Sequence, residues 1–174
     1  MKNINNIKMA FFDVDNTLLC LKMYKDESGK NDKENGQRIV GCHEYEDWLK
    51  YNIFNNSYIH CSAPTAIKTL VDKLSENGAK IYGLTECSNS FEYNAKFNRL
   101  RECYENVFQH HGDLISIDSR HKKVLIMEFL AEREHIDPEN ILFVDDSYQE
   151  IMEAFDHGFY SMHTTEAMER FSWT

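Results

Sequence analysis

The sequence predicts an α/β protein: a parallel five-stranded sheet covered by helices on both faces. Three observations predict it. Short apolar runs of strand length alternate with segments of helical period, which is the pattern of a parallel sheet with crossover helices. Several of these runs stop abruptly at Asp or Thr, as buried strands do where they meet polar loops. A hydrophobic fraction of 42% over 174 residues is enough for one core, so residues 1–174 are expected to form a single domain with room for a modest insertion.

The elements follow in order. Met9-Ala10-Phe11-Phe12 is an apolar run that ends in Asp13-Val14-Asp15-Asn16-Thr17, a first strand and its loop. Leu18 to Leu21 resumes the apolar character. Lys22 to Gln37 is charged, carries Gly29 and Gly36, and keeps no period, so it reads as an exposed loop or hairpin. Tyr45, Trp48, Leu49 and Ile53 share one helical face. Residues 22–60 therefore read as an insertion with one helix. Ser62 reads as an N-cap with Pro64 in the first turn. Ile67, Leu70, Val71 and Leu74 then form a helical stripe that stops at Gly78.

Ala79 to Leu84 reads as a second strand ending at Thr85. Ser88 to Leu100 reads as a helix with Phe91, Ala95 and Leu100 inward. Leu114 to Ile117 is a third strand. Lys122 to Glu134 is a helix with Ile126, Met127, Leu130 and Ala131 as its stripe. Ile141 to Val144 is a fourth strand that ends in Asp145-Asp146-Ser147. Tyr148 to His157 is a helix stopped by Gly158, Phe159 to Met162 is a fifth strand, and a short helix closes the chain.

Composition narrows the function. The formal net charge of -10 repels nucleic-acid phosphates, so nucleic acid is not an expected partner. A small phosphate ester remains admissible, because a bound metal ion reverses the local field. Five cysteines, widely spaced and without CxxC, suit reduced thiols better than a disulfide framework. Cys42-His43 lacks a second pair at zinc spacing. The polar N-terminus is followed by no apolar run of signal-peptide or membrane-span length. A soluble, cytoplasmic protein is expected.

The chemistry gathers at strand ends. In an open parallel sheet the carboxyl ends of the strands meet at one edge, where ligands bind. Asp13 and Asp15, Thr85, and Asp145 with Asp146 thereby become neighbours. Several carboxylates in one crevice repel one another, and a hard divalent cation relieves that. Mg²⁺ takes oxygen ligands and suits such a set better than Zn²⁺ does. His110, His111, His121 and His163 form no i, i+4 pair with a carboxylate and read as surface or core residues.

These residues resemble the motifs of the haloacid dehalogenase-like hydrolase superfamily. Phe11 to Leu18 is similar to its first motif, an apolar run followed by DxDxT. Leu84-Thr85 resembles the second, Lys122 or Lys123 the third, and Ile141 to Ser147 the fourth in its paired-acid form. The four stand in the right order over residues 7 to 163 and leave only the insertion unmatched.

The resemblance implies a Rossmann-like three-layer sandwich with sheet order 5-4-1-2-3, and a phosphatase that works with Mg²⁺ on a small phosphorylated substrate. Asp13 would be the nucleophile and form an aspartyl-phosphate. Asp15 would be the general acid and base, a carboxylate that the dehalogenase branch lacks. Thr85 would donate to a phosphoryl oxygen, and the lysine would neutralise charge there. Spacing favours Lys123, with Lys122 left open. Mg²⁺ would take Asp13, the Asp15 backbone carbonyl and an acid of the Asp145–Asp146 pair. Register favours Asp146 as the ligand, with Asp145 ligating or orienting, and Glu150 further out. The insertion over 22–60 would be a small lid. A phosphomutase and a non-catalytic phosphate-binding or partner-docking domain are the rival readings. The small lid argues against the first and the complete acid set against the second.

Overall fold

The computed structural model describes residues 4–21, 62–87, 89–117 and 122–171. The expected lid over 22–60 and its helix fall outside the described residues, as does His121.

Strand β1 (Met9–Asp13) is buried along its whole length. It pairs in parallel with β4 (Lys80–Glu86) on one side and with β6 (Ile141–Asp145) on the other. Both of its faces are covered, which is why it reads as a continuous apolar run rather than an alternating one. Strands β5 (Leu114–Ile117) and β7 (Tyr160–His163) close the sheet in the order β5-β4-β1-β6-β7. Numbered among the sheet strands alone and read from the β7 edge, this is the expected 5-4-1-2-3.

Helices α1 (Lys68–Glu76), α2 (Ser90–Cys103), α3 (Lys122–Glu134), α4 (Tyr148–Asp156) and α5 (Thr164–Phe171) connect the strands or follow them. Successive side chains of β1 point to opposite faces. Phe12 enters one core cluster with Leu70, Leu74, Leu100 and Phe108. Phe11 enters the other with Met127, Leu130 and Phe143. Gly78 and Gly158, which follow the C-caps of α1 and α4, have φ of 79° and 84°. Glycine reaches that left-handed region without steric cost, so it ends both helices where the sequence places their stops.

Two local readings are corrected. Ser62–Pro64 is not the start of a helix but a strand, β3, paired antiparallel with β2 (Leu19–Leu21). The helix begins only at Lys68, behind a turn in which the Ile67 amide donates to Thr65 Oγ1 at 3.3 Å. Each strand is three residues long, and the partner lies across forty residues of chain. No periodicity within either piece could show the pairing. Pro64 is at ease there, because edge strands tolerate a residue with no N–H to donate.

The second correction concerns α2. Asn89 caps it, accepting at 3.0 Å from the amides of both Phe91 and Glu92. Phe91, expected inward, is 74% exposed. The buried face carries Glu92, Lys96, Phe97 and Leu100. A charged pair on the inner face defeats any reading that assigns the core side by hydrophobicity.

Gly83 lies on β4, opposite Phe12 of β1 and Leu114 of β5. A Cβ added there would stand 2.9 Å from Leu114 Cδ1 and 3.3 Å from Phe108 Cε1. Overpacking of this kind typically costs about 1–3 kcal/mol. Gly83→Val is therefore expected to lower the urea midpoint by that amount of stability at an unchanged m-value. An unaltered midpoint would mean that the sheet yields more easily than its packing implies. No helix among the described residues is long and apolar enough to cross a membrane.

Candidate active site

Because β1 lies between β4 and β6, the carboxyl ends of these three strands are adjacent. Asp13 ends β1 and Asp145 ends β6, while Thr85 is the penultimate residue of β4. After Asp13 the chain makes one compact turn. The Leu18 amide donates to the Asp13 carbonyl at 3.2 Å and the Leu19 amide to the Val14 carbonyl at 2.9 Å. Asn16, at φ 61°, takes the left-handed conformation that asparagine tolerates. Asp13, Asp15 and Asn16 all line a cavity of about 230 Å³, together with Lys123, Asp145, Asp146 and Glu150.

Lys123 is the pivot of this cluster. Its ammonium donates to Asp13 Oδ1 and to Asp145 Oδ2, both at 2.7 Å, and all three groups are buried. Burial opposes the charge on Lys123, but the two carboxylates outweigh it and raise its pKa, so the ammonium stays protonated. Burial also pushes the Asp13 carboxyl up to about 8. Lys123 pulls it down, while the charges of Asp145 and Asp15 push it further up. Lys123 alone does not hold Asp13 ionised at neutral pH.

Asp145 has both oxygens engaged, Oδ2 by Lys123 and Oδ1 by the Ser147 amide at 2.8 Å. Asp146 is exposed, and its Oδ2 accepts from Asn16 Nδ2 at 3.3 Å. Its carboxyl is nonetheless partly desolvated by the cavity around it, which raises its pKa, and Asp145 beside it adds to the effect. The His163 ring meets the Asp146 carbonyl with Nε2 at 3.0 Å and accepts from the Thr165 amide at Nδ1. It thus braces the loop backbone from both ring nitrogens.

The structure brings together Asp13, Asp15, Lys123, Asp145 and Asp146. Lys122 is the first residue of α3, and the expectation for its side chain lies outside the described ones. Thr85 is 1% exposed and is not among the residues lining the cavity. Its hydroxyl accepts from Lys96 Nζ at 2.9 Å and faces the Glu86 carbonyl at 3.3 Å.

Lys96 is absent from the sequence reading. Its ammonium is buried and reaches four groups. They are Asp15 Oδ2 at 2.6 Å, Glu92 Oε1 at 2.7 Å, Thr85 Oγ1 at 2.9 Å and the Glu86 carbonyl at 2.9 Å. One signal could have found it. Glu92 and Lys96 stand at i, i+4 on a helix that follows directly on a motif strand, but such pairs are usually solvated.

One oxygen from each of Asp13, Asp145 and Asp146 can lie within 4.8 Å of the others. This donor set is carboxylate oxygen throughout, with neither sulfur nor imidazole in it. It suits a hard cation such as Mg²⁺, whose charge would relieve the acids that Lys123 leaves uncompensated.

No protein-family model matches the chain, and no curated protein sequence does. Solved structures do match it. A dehalogenase in an intermediate complex is 11% identical, with a TM-score of 0.58 over 90% of this chain and 84% of its own. A haloacid dehalogenase-like hydrolase from Streptococcus pneumoniae is 15% identical, with a TM-score of 0.54 over 95% and 91%. A HAD family hydrolase from Deinococcus radiodurans with bound phosphate and sodium is 10% identical, with a TM-score of 0.55 over 91% and 80%. At these identities the likeness is one of fold.

Proposed function

We propose that this chain, whose fold is haloacid dehalogenase-like, is a magnesium-dependent phosphohydrolase that cleaves small phosphate monoesters through an aspartyl-phosphate at Asp13. One observation carries the reading. Asp13, Asp145 and Asp146 converge beside Lys123, at a cavity that Asp15 also lines. A phosphate ester also fits the phosphate bound by the Deinococcus protein of the same fold.

Each residue has a task in this chemistry. Asp13 attacks phosphorus, so that a carboxylate oxygen bonds to it as the ester P–O bond breaks. Asp15 gives a proton to the departing alkoxide. Water then attacks the aspartyl-phosphate, Asp15 takes a proton from that water, and Asp13 is restored as inorganic phosphate departs. Lys123 neutralises charge on Asp13 and on the phosphoryl oxygens. Asp145 holds Lys123 in place. Asp13 and Asp146 would hold Mg²⁺ with the Asp15 carbonyl, and the ion supplies positive charge to the phosphoryl group and to the acids around it.

Asp15 favours a phosphate ester over a haloalkane as the substrate. A halide departs without a proton, whereas an alkoxide needs one, and a second carboxylate beside the nucleophile has work only in the latter case.

The test is phosphate release from a panel of monoesters, with Mg²⁺ and with EDTA. Release that stops with EDTA is expected; a well-folded protein silent on every ester sinks the reading. The effect of pH on stability adds a second check. Asp13 has a folded pKa raised to about 8, above that of an unfolded aspartate. Its contribution to stability is therefore present below pH ~4 and is lost as pH rises through about 8. Mg²⁺, which binds the ionised form, is expected to raise Tm more at pH 8 than at pH 6. An equal rise at both would separate the ion from Asp13.

A further inference from the structure

We infer that Lys96 is a positioning residue, which holds the Asp15 carboxyl group where, once protonated, it can pass its proton to the leaving group, and ties it to Thr85. The inference rests on the phosphohydrolase reading and adds a residue to it.

The geometry argues for placement rather than for general stability. Lys96 is 1% exposed, yet its ammonium ends not among apolar side chains but against Asp15, which lines the cavity. Its ammonium takes Asp15 Oδ2 at 2.6 Å, and the Asp15 side chain, 42% exposed, lines the cavity. The same ammonium takes the Thr85 hydroxyl at 2.9 Å and the Glu86 carbonyl at 2.9 Å, both from the end of β4. Asp15 comes from the loop after β1, where neighbouring hydrogen bonds constrain the backbone but leave a two-torsion side chain to be placed. Lys96 supplies that placement from a rigid helix. Glu92, one turn before it on α2 and 2% exposed, accepts from Lys96 at 2.7 Å and fixes the ammonium in turn. The chain of contacts runs from Glu92 to Lys96 and from there to Asp15 and Thr85. A buried, multiply bonded ammonium is costly to build for stability alone, since apolar residues of equal volume usually serve a core as well or better.

A general acid matters most when the leaving group is poor. Positioned proton transfer contributes about 10²–10⁴-fold. An alkyl phosphate depends on it, whereas a nitrophenyl phosphate, whose anion leaves unaided, hardly does. The value of kcat/KM reports only steps up to the first irreversible one, so it isolates the step in which Asp15 is the acid.

The experiment compares kcat/KM of wild type and Lys96→Met on an alkyl and a nitrophenyl phosphate, both with Mg²⁺. We expect a loss of ~10–100-fold on the alkyl ester and less than ~5-fold on the nitrophenyl ester, following from displaced acid catalysis. The double variant Glu92→Gln/Lys96→Met removes both buried charges and guards against misfolding of the single one; it should show the same split. Equal losses on the two esters, in whichever variant folds, would assign Lys96 a merely structural or phosphate-binding part and overturn the inference. Unchanged kinetics overturn it as well. If well-folded wild type releases no phosphate from these or any other ester of the panel, the phosphohydrolase reading falls and the role of Lys96 falls with it.

Discussion

Asp13→Asn is expected to abolish phosphate release, by at least ~10⁴-fold as loss of a catalytic nucleophile does, while the protein stays folded. The two halves of this expectation have different origins. Asparagine has almost the same volume as aspartate, so β1 and the turn after it keep their packing. It lacks the anionic oxygen that would bond to phosphorus. Stability should hold or rise in the absence of metal, because burial already pushes the Asp13 carboxyl up to about 8 and the variant removes that buried acid. Lys123 keeps Asp145 as its partner. Thermal unfolding in EDTA and single-turnover phosphate release, run on the same preparation, check both halves. Near-native turnover would remove Asp13 from the mechanism. A collapse of Tm would make it a structural residue.

Lys123→Met is expected to have the opposite balance, costing both stability and activity. The ammonium stands between Asp13 and Asp145 at 2.7 Å from each. Without it, two buried carboxylates share a wall with no cation between them. Breaking a buried ion pair by removing one partner typically costs about 3–5 kcal/mol. That loss should be full near pH 9 in EDTA and smaller near pH 6, where Asp13 takes up a proton and the repulsion disappears. Mg²⁺ should recover part of it, since a cation then returns to the same carboxylates. Turnover should fall ~10²–10³-fold, the usual effect of losing one group that stabilises developing charge. Urea titrations at the two pH values, with and without Mg²⁺, read the stability directly. A variant as stable as wild type at pH 9 would mean that the acids are not coupled through Lys123.

Much of the architecture was legible because β1 is buried on both faces. A strand of that kind must be apolar throughout and must stop where the chain meets water. Met9 to Asp13 and Ile141 to Asp145 both show it. The glycines at 78 and 158 end helices for a reason that acts on one residue at a time. Asp13, Asp15, Asp145 and Asp146 could be assembled without coordinates, because parallel topology alone brings the carboxyl ends of neighbouring strands to one edge, whereas Lys123 entered only through the motif resemblance, beside Lys122.

What lay beyond the sequence depends on contacts between distant pieces. Short strands β2 and β3 exist only as each other's partners. The inner face of α2 could not be read from apolar period, because it carries Glu92 and Lys96 while Phe91 points to solvent. The difference is physical. Burial along one element leaves its mark in that element's own residues, so the sequence determined by itself the strands of the parallel sheet, the stops and the acids at the sheet edge. Whether a lysine is solvated or locked against an aspartate 81 positions away is set by how elements pack. Only the tertiary structure decided that Lys123 lies between Asp13 and Asp145, that Thr85 sits behind the cavity wall, and that Lys96 reaches Asp15.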